Sequence, residues 1–286
     1  MEKMMQNKVV VITGGSRGLG LAIAEALGAA GAKVFLCSRS ADSVDKAVAK
    51  LCAVGVDASG AACDVSALSE VEAIAAKVVA TYGRIDVWIN NAGLSAPWGP
   101  TAHIPSERFH ALVGTNIIGT YNGSVTAVRR FLEQGGGKLI NVLGRGDNGS
   151  VPKQNAYTSS KAWVWNFTKS LAAEYKGTGV EIHGFNPGMV RTEMLSEVEA
   201  VRGWEKELEA LKTVTAVLGN DAGVPAAKAL WLASGATDGK TGLMVKVITK
   251  GFMVRRGLAT LGRLVTGRGL GAKEISITRV EPAAKT

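Results

Sequence analysis

Short apolar runs alternate along the chain with longer stretches in which apolar residues recur every three or four positions. The short runs predict strands, and the longer stretches predict helices. The predicted strands are Lys8–Thr13, Lys33–Ser38, Ala58–Cys63, Ile85–Asn90, Lys138–Leu143, Val180–Phe185 and Leu243–Ile248. The predicted helices between the early strands include Leu19–Ala30, Asp42–Val54 and Ala67–Tyr82. Continuous apolar runs such as VVVIT are typical of parallel strands covered on both faces. The alternation predicts a single α/β domain with a doubly wound parallel sheet, whose ligand binds beyond the carboxyl ends of the strands.

Two segments depart from this alternation. Leu195–Val214 carries apolar residues at three- and four-residue steps with charges between them, which predicts an amphipathic helix within a substrate lid at about residues 189–220. Lys250–Arg268 mixes apolar residues with five basic residues and contains no acidic residue. We therefore expect a catalytic domain over residues 1–249 and a basic C-terminal extension over residues 250–286.

Composition excludes several classes of protein. The chain has 286 residues, 47% of them hydrophobic and 20% charged, as in soluble globular proteins. No apolar run is long enough for a transmembrane helix, and the early first strand leaves no room for a signal peptide. The three cysteines lack the spacing of metal ligands, so we expect no metal site. An odd number of cysteines also argues against a disulfide framework, which favours a reducing, cytoplasmic location. Of the net charge of +9, eight basic and two acidic residues after residue 249 contribute +6, and no nucleic-acid-binding module is visible.

A glycine-rich segment between the first strand and the first helix predicts a dinucleotide site of Rossmann type. It reads Thr13, Gly14, Gly15, Ser16, Arg17, Gly18, Leu19 and Gly20. The glycines permit a tight turn and a close approach of a pyrophosphate to backbone N–H groups at the helix N-terminus. A glycine-rich turn without a ligand is the alternative.

The end of the second strand indicates which nicotinamide cofactor is preferred. An acidic residue there would bind a ribose 2′-hydroxyl, but the chain has Ser38 and Arg39. Arg39 and Arg17 can bracket a 2′-phosphate, because a guanidinium fork matches phosphate geometry. This favours NADP(H) over NAD(H). Asp64 and Val65, after the third strand, would hold the adenine, or Asp64 would cap the following helix.

Tyr157 and Lys161 stand four residues apart in a predicted helix and therefore share one face. A free tyrosine has a pKa near 10, which makes it a poor proton donor and acceptor at neutral pH. A neighbouring cation favours the phenolate and brings this pKa closer to the working range. The pair predicts acid–base chemistry at an oxygen atom.

These motifs together resemble the short-chain dehydrogenase/reductase family over about residues 7–248. The matching pieces are TGGSRGLG, Asp64-Val65, Asn90-Asn91-Ala92-Gly93, Asn116 in TNIIG, YTSSK and NPGMVRT. The resemblance implies that Tyr157 protonates a carbonyl oxygen, that Lys161 binds the nicotinamide ribose and tunes Tyr157, and that Asn116 holds a water of the proton relay. It further implies cofactor contacts by the residues Asn91, Ala92, Gly93, Pro187, Gly188, Val190 and Thr192.

Gly144 departs from the family, which places a serine there to bind the substrate oxygen. Chlorophyll b reductases also carry glycine at this point and resemble the chain in CSRSADSVDKAV, DVWINNAG, the run from Gly144 to Gly149, and NPGMVRTEML. They usually have an aspartate where this chain has Leu143. We expect the glycine to leave extra room beside the reacting carbon.

The leading hypothesis is an NADPH-dependent reductase of an aldehyde on a bulky hydrophobic small molecule. A general ketone or alcohol oxidoreductase and a non-catalytic NADP(H)-binding subunit are the alternatives.

Three further expectations concern the substrate and the partners. Met194 and Trp204 would contact a large flat substrate, with ordinary packing as the alternative. The segment 250–268 would pack on the body or on a partner subunit, and peripheral contact with a membrane is the second reading. The family resemblance implies a homodimer or homotetramer formed through the helices around Asn116 and Tyr157.

Overall fold

The structure, a computed structural model, describes residues 4–146, 149–266 and 275–283. Its strands are β1 Val9–Thr13, β2 Lys33–Ser38, β3 Ala58–Ala62, β4 Val87–Asn90, β5 Gly137–Val142, β6 Val180–Asn186, β7 Glu197–Val201, β8 Met244–Lys246 and β9 Ser276–Val280. Its helices are α1 Gly18–Ala29, α2 Ala41–Ala53, α3 Leu68–Tyr82, α4 Ser106–Val113, α5 Gly119–Gln134, α6 Asn155–Glu174, α7 Glu193–Ser196, α8 Glu209–Leu218, α9 Gly223–Ala233 and α10 Lys250–Val265.

Seven strands form one parallel sheet in the order β3-β2-β1-β4-β5-β6-β8. The apolar residues of β1 show why both faces are covered. Val10 and Ile12 pack into one core cluster, which includes buried residues of α1 and α9. Val9 and Val11 pack into the opposite cluster, with residues of α3 and α5. The predicted doubly wound α/β sheet is confirmed, and all seven predicted strands belong to it with small differences at their ends.

The predicted amphipathic helix over Leu195–Val214 is wrong. This segment forms the end of α7, then β7, a 3₁₀ turn over Glu205–Leu208, and α8. The sequence EVEAV of β7 alternates charged and apolar residues with a period of two, and valine favours strands. Gly203 has φ of +92°, a left-handed conformation that interrupts any helix through this point.

The last described strand, β9, pairs with the strand that follows α7. β9 pairs in parallel with β7 from Glu197 and Ser276 to Val201 and Val280. On the other edge of β7, the Trp98 N–H donates to Glu199 O (2.8 Å) and the Val201 N–H donates to Trp98 O (2.9 Å). Strand β7 therefore lies between the loop of Trp98 and strand β9.

Candidate active site

The candidate site lies at the carboxyl ends of β1, β4, β5 and β6. The strand order reverses between β1 and β4, since β2 and β3 lie to one side of β1 and β5, β6 and β8 lie beyond β4. Such a reversal opens a crevice in which ligands of doubly wound folds bind. The predicted glycine-rich, Asn91 and Tyr157 motifs all belong to segments that follow these strands.

The glycine-rich loop packs its backbone directly on the segment after β4. Gly14 has φ of +62°, and a Cβ atom there would lie 2.8 Å from the Cα of Ala92. A Cβ at Gly20 would lie 2.3 Å from the Gly14 carbonyl oxygen. Only glycine fits both positions. The loop, with half-buried Ser16, leads into Gly18 and Leu19, the first residues of α1. Free N–H groups of this first turn suit a pyrophosphate, so the residues present fit a dinucleotide.

Thr13 and Asn91 hold this loop in place. The side-chain amide of Asn91 donates to the carbonyl oxygens of Thr13 (2.9 Å) and Gly14 (3.0 Å). The Thr13 hydroxyl accepts the N–H groups of Asn91 and Ala92, each at 3.0 Å. Both predicted cofactor residues therefore shape the cradle through their side chains.

The residues that the sequence predicts to hold the adenosine and its 2′-phosphate include two exposed arginines and a hydrogen-bonded aspartate. Arg17 and Arg39 are exposed, and the guanidinium group of neither forms an ion pair or hydrogen bond with another residue in the described ranges. Asp64 Oδ1 accepts the N–H (2.9 Å) and the hydroxyl (2.7 Å) of Ser66. These two bonds, and then the charge of Arg39, lower the pKa of Asp64. Asp64 thus stabilises the turn before α3 while its carboxylate stays negative beside Arg39.

Ser38 and Val65 complete this end. Ser38 is half-buried at the end of β2, and its hydroxyl donates to the Ser40 carbonyl oxygen at 3.5 Å. Val65 is buried against α5, since a Cβ at Gly119 would lie 2.4 Å from Val65 Cγ2. Both residues flank the crevice where the sequence predicts the adenosine.

Lys161 is a buried cation beside Tyr157. Its side chain is 5% exposed, and its ammonium donates to the Val142 carbonyl oxygen at 2.9 Å. The ammonium lies 6.0 Å from the centroid of the Tyr157 ring. Burial lowers the pKa of Lys161 to about 8. The site therefore holds a cation whose proton is weakly bound for a lysine, next to a phenol.

Asn116 sits in a widened helical turn, Gly114–Ile118, where the Gly119 N–H bonds to the carbonyl oxygen of Gly114, five residues earlier. Such turns occur often at functional sites. The fully buried Asn116 amide accepts the Leu94 N–H (2.8 Å) and donates to Leu94 O (3.0 Å) and to Ser160 Oγ (3.1 Å). It ties the loop after β4 to α6, the helix of Tyr157 and Lys161.

Gly93 shows how closely these groups converge. A Cβ at this position would lie 3.6 Å from Asn116 Oδ1 and 3.8 Å from Lys161 Nζ. Ser160, which receives the Asn116 amide, was not singled out from the sequence. Its only signal is its place beside Lys161 in YTSSK.

The expectation that Gly144 leaves extra room is wrong. A Cβ at Gly144 would lie 2.5 Å from the Tyr157 hydroxyl oxygen and 3.1 Å from Lys161 Cγ. The tyrosine hydroxyl therefore occupies the space that a serine side chain would enter. Asn186, which the sequence also did not single out, donates its amide to the Gly144 carbonyl oxygen at 3.2 Å.

The segment after β6 returns to the glycine-rich loop. Pro187 precedes Gly188, whose φ is +71° and whose N–H donates to Asn186 Oδ1 at 2.9 Å. Val190 is buried and forms a β-bridge with Asn220. A Cβ at Gly18 would lie 3.4 Å from the Thr192 methyl group, so Thr192 lies beside the start of α1.

The two predicted substrate residues differ in their surroundings. Met194 in α7 is 43% exposed and open to a ligand. Trp204 is half-buried, and the Lys153 ammonium lies 4.4 Å from one of its ring centroids. Lys153 forms an ion pair with Glu207, which also accepts the Trp98 indole N–H at 3.2 Å. Trp204 therefore belongs to a charged cluster that joins the segment after β7 to Trp98 and Lys153.

Two kinds of feature are absent from the residues that the structure describes. No cluster of three or more His, Cys, Asp or Glu side chains there could hold a metal ion. Nor does any described helix combine the length and apolar character needed to cross a membrane.

Comparison with known proteins identifies the family. The family model "short chain dehydrogenase" matches residues 8–203. A putative ketoacyl reductase from Streptomyces coelicolor is 36% identical over 194 residues, covering 67% of this chain and 74% of that protein. Levodione reductase from Leifsonia aquatica is 32% identical over 191 residues, covering 66% and 72%. The chain belongs to the short-chain dehydrogenase family.

Solved structures agree with the assignment of the chain to this family. The structure of levodione reductase has a TM-score of 0.78 at 27% identity and covers 88% of this chain and 99% of that chain. A single-residue variant of actinorhodin polyketide ketoreductase with NADPH has a TM-score of 0.77 at 29% identity, covering 86% and 97%. The family binds NAD(P)(H), and the chain is an oxidoreductase acting on CH–OH or C=O groups.

Proposed function

We propose that the chain uses NADPH to reduce an aldehyde on a bulky hydrophobic substrate, in the manner of chlorophyll b reductases. The main support for carbonyl chemistry is that four residues lie close together, namely Tyr157, Lys161, Asn116 and Gly93. Gly144, in place of the family serine, and the motifs shared with that subgroup support the aldehyde. An aldehyde carbon is more electrophilic than a ketone carbon and depends less on a second hydrogen-bond donor.

Bound NADPH would supply the hydride. Tyr157 would donate the proton from its hydroxyl to the substrate oxygen. The Lys161 ammonium, held by the Val142 carbonyl, stabilises the resulting phenolate because it is a positive charge in a site shielded from water. Asn116 fixes the loop after β4 against α6, which keeps these two side chains oriented.

Preference for NADP(H) rests on Arg17 and Arg39. Both residues are exposed, Arg17 in the loop after β1 and Arg39 directly after β2, and within the described ranges neither guanidinium group forms an ion pair. No acidic residue stands at Ser38 or Arg39 to bind a ribose 2′-hydroxyl. Two guanidinium groups would instead bind a 2′-phosphate.

Leu143 bears on the specific substrate. Its side chain is buried, and Leu143 Cδ1 would lie 2.9 Å from a Cβ at Gly184 in β6. The aspartate usual in the subgroup would have to be buried here against an apolar neighbour. The subgroup assignment therefore rests on Gly144 and the surrounding motifs rather than on this position.

A substrate panel with purified protein and NADPH tests the proposal. We expect turnover of a tetrapyrrole or polycyclic aldehyde to exceed that of a small ketone, and Tyr157→Phe to abolish turnover while NADPH binding persists. If the protein did not reduce aldehydes but reduced small ketones rapidly, the proposed aldehyde substrate would be wrong. Unchanged turnover in the variant would overturn the role of Tyr157.

A general ketone reductase is the second candidate. It is favoured by the relatives, whose names include ketoacyl reductase and levodione reductase. The same panel separates it, because it would reduce cyclic or acyl ketones at least as fast as aldehydes. A non-catalytic NADP(H)-binding subunit is disfavoured, since such a subunit would not need Tyr157, Lys161 and Asn116 together.

We propose that the inner face of α10 packs on the body and, as a second reading, that its outer face contacts an anionic membrane surface. Arg256, on the inner side of α10, donates to Asn220 Oδ1 at 3.0 Å and so anchors the helix to the end of the lid. Met253, Val254 and Leu258 are exposed on α10, and Arg255 beside them is exposed as well. Apolar and basic side chains together suit a lipid surface. Binding of the purified protein to vesicles with acidic phospholipids tests this contact. Binding that is lost in Leu258→Glu and kept in Val54→Glu would support the membrane contact, and equal binding by both variants would oppose it.

A homodimer or homotetramer is proposed through α5 and α6. Ile118 and Tyr121 are exposed beside α6, where Trp163 and Phe167 stack at 4.5 Å between ring centroids. An apolar aromatic face of this kind suits a subunit interface. Sedimentation would measure the mass, and a monomer at micromolar concentration would contradict the proposal.

A further inference from the structure

The end of β5 lies unusually close to the catalytic side chains of α6. A Cβ atom at Gly144 would stand 2.5 Å from the Tyr157 hydroxyl oxygen and 3.3 Å from Cζ of the same ring. Neighbouring side chains essentially never approach a Cβ within 3.0 Å. The hydroxyl group therefore rests against the main chain of residue 144.

The backbone at this point cannot easily retreat. The Leu143 N–H donates to the Phe185 carbonyl oxygen at 2.8 Å, which continues the β5–β6 ladder. The Gly144 carbonyl oxygen accepts the Asn186 amide at 3.2 Å. Two residues earlier, the Val142 carbonyl oxygen accepts the Lys161 ammonium at 2.9 Å. A side chain added at residue 144 would consequently displace Tyr157 rather than the strand.

A second glycine of this loop, Gly146, makes a similar close contact with Thr158, the residue after Tyr157 in α6. Gly146 has φ of +105°, and a Cβ there would lie 2.5 Å from Cβ, 2.6 Å from Cα and 2.6 Å from the carbonyl oxygen of Thr158. Thr158 follows Tyr157 in the first turn of α6. The loop after β5 thus touches this turn through bare backbone at two places.

We propose that Gly144 and Gly146 form a seat for the first turn of α6, and that Gly144 is the positioning residue that sets the Tyr157 hydroxyl. In this site the Tyr157 hydroxyl occupies the space that the side chain of the missing serine would take. Restoring the family serine would push the proton donor away from its working position and would lower activity. This inference rests on the proposed role of Tyr157 as proton donor.

The first test compares Gly144→Ser and Gly144→Ala with Gly149→Ala. Gly149 belongs to the same loop, its φ is not in the left-handed region, and a Cβ there would meet no atom within 4 Å. We expect kcat of both Gly144 variants to fall by about 100-fold, the loss typical of a misplacement of about 1 Å, with the serine no better than the alanine. Gly149→Ala should keep wild-type kcat, and NADPH affinity should change little in all three. A Gly144→Ser enzyme as active as wild type would overturn the proposal.

The pH profile of kcat gives a readout that a merely structural defect would not move. Displacement of the Tyr157 hydroxyl should change the pH dependence of kcat in Gly144→Ala and leave it unchanged in Gly149→Ala. An unmoved profile in Gly144→Ala, at reduced kcat, would count against the positioning role.

A double-mutant cycle tests the seat without using activity at all. In Tyr157→Phe the hydroxyl oxygen is gone, so the closest contact of a Cβ at residue 144 disappears. We expect Gly144→Ala to lower the thermal midpoint of the wild-type chain clearly more than that of the Tyr157→Phe chain. Equal losses would overturn the seat even if Tyr157 proved catalytic. Unequal losses with an active Tyr157→Phe enzyme would instead refute the proposed function alone. Because the cycle uses Gly144→Ala, it can still be interpreted if Gly144→Ser folds poorly.

Discussion

Replacement of Lys161 by methionine should remove activity and at the same time stabilise the fold. Lys161 is almost fully buried, and burial lowers its pKa from the usual 10.5 to about 8. At about 1.4 kcal/mol per pKa unit, the charged lysine costs the folded state about 3 kcal/mol at neutral pH. Methionine also loses the hydrogen bond to the Val142 carbonyl, which contributes about 1 kcal/mol. The net gain in the free energy of unfolding should be about 2 kcal/mol.

The pH dependence has a definite sign. Between pH 8 and pH 10.5 the unfolded lysine binds a proton that the folded one has released, so wild-type stability rises with pH across this window. The advantage of Lys161→Met should therefore be full below pH 8 and should shrink towards pH 10.5.

Urea unfolding without cofactor, at fixed protein concentration from pH 7 to pH 10.5, measures both quantities. Lys169→Met is the matched control, because Lys169 is exposed on the same helix and its replacement should change little. A Lys161→Met variant less stable than wild type at pH 7, or an advantage independent of pH, would refute the reasoning. Confirmation would mean that the fold sustains a destabilising cation because catalysis needs it.

Three further outcomes are expected. Arg39→Glu should weaken NADPH binding by about 10- to 100-fold while NADH binding changes little, as measured by nucleotide fluorescence; equal losses would rule out the phosphate contact. The pKa of His183 is lowered to about 4 by burial and by Lys138, and neither ring nitrogen has a partner within the described ranges. Wild type should therefore lose about 3 kcal/mol relative to His183→Leu as pH falls from 6.5 to 4, and parallel pH curves in urea unfolding would contradict this. The Arg202 side chain is already exposed, but its backbone N–H is held by Val280 O at 2.9 Å. Removal of residues 275–286 should therefore speed tryptic cleavage after Arg202, and an unchanged cleavage rate would show that β9 does not hold this segment.

The sheet and the shape of the glycine-rich loop could be predicted because their signals are local. Continuous apolar runs such as β1 can bury both faces only between helices, and the clusters around Val10 and Val11 lie on opposite faces as this requires. The glycines of the first loop are dictated in part by contacts within the loop itself, as for Gly20, where a Cβ would lie 2.3 Å from the Gly14 carbonyl oxygen. Sequence spacing alone was therefore sufficient for this part of the fold.

The lid and the setting of Tyr157 depend on distant contacts and could not be predicted in this way. Leu195–Val214 satisfies a helical period, yet EVEAV also satisfies a strand period, and its partner β9 decides between them. The space beside Gly144 is filled because α6 packs flush on the loop after β5, which no residue pattern announces. The charged cluster around Trp204 likewise joins residues far apart in the chain, namely Trp98, Lys153 and Glu207.

The pairing of β7 with β9 also has a consequence for the order of folding. Each residue of β7 is paired with one 79 positions later, as Glu197 is with Ser276. Contacts so distant in sequence carry a high loop-closure cost and form late. During synthesis the sheet and the dinucleotide cradle can assemble while β9 is still inside the ribosome. The crevice would then be able to accept its nucleotide before the cover over it is complete.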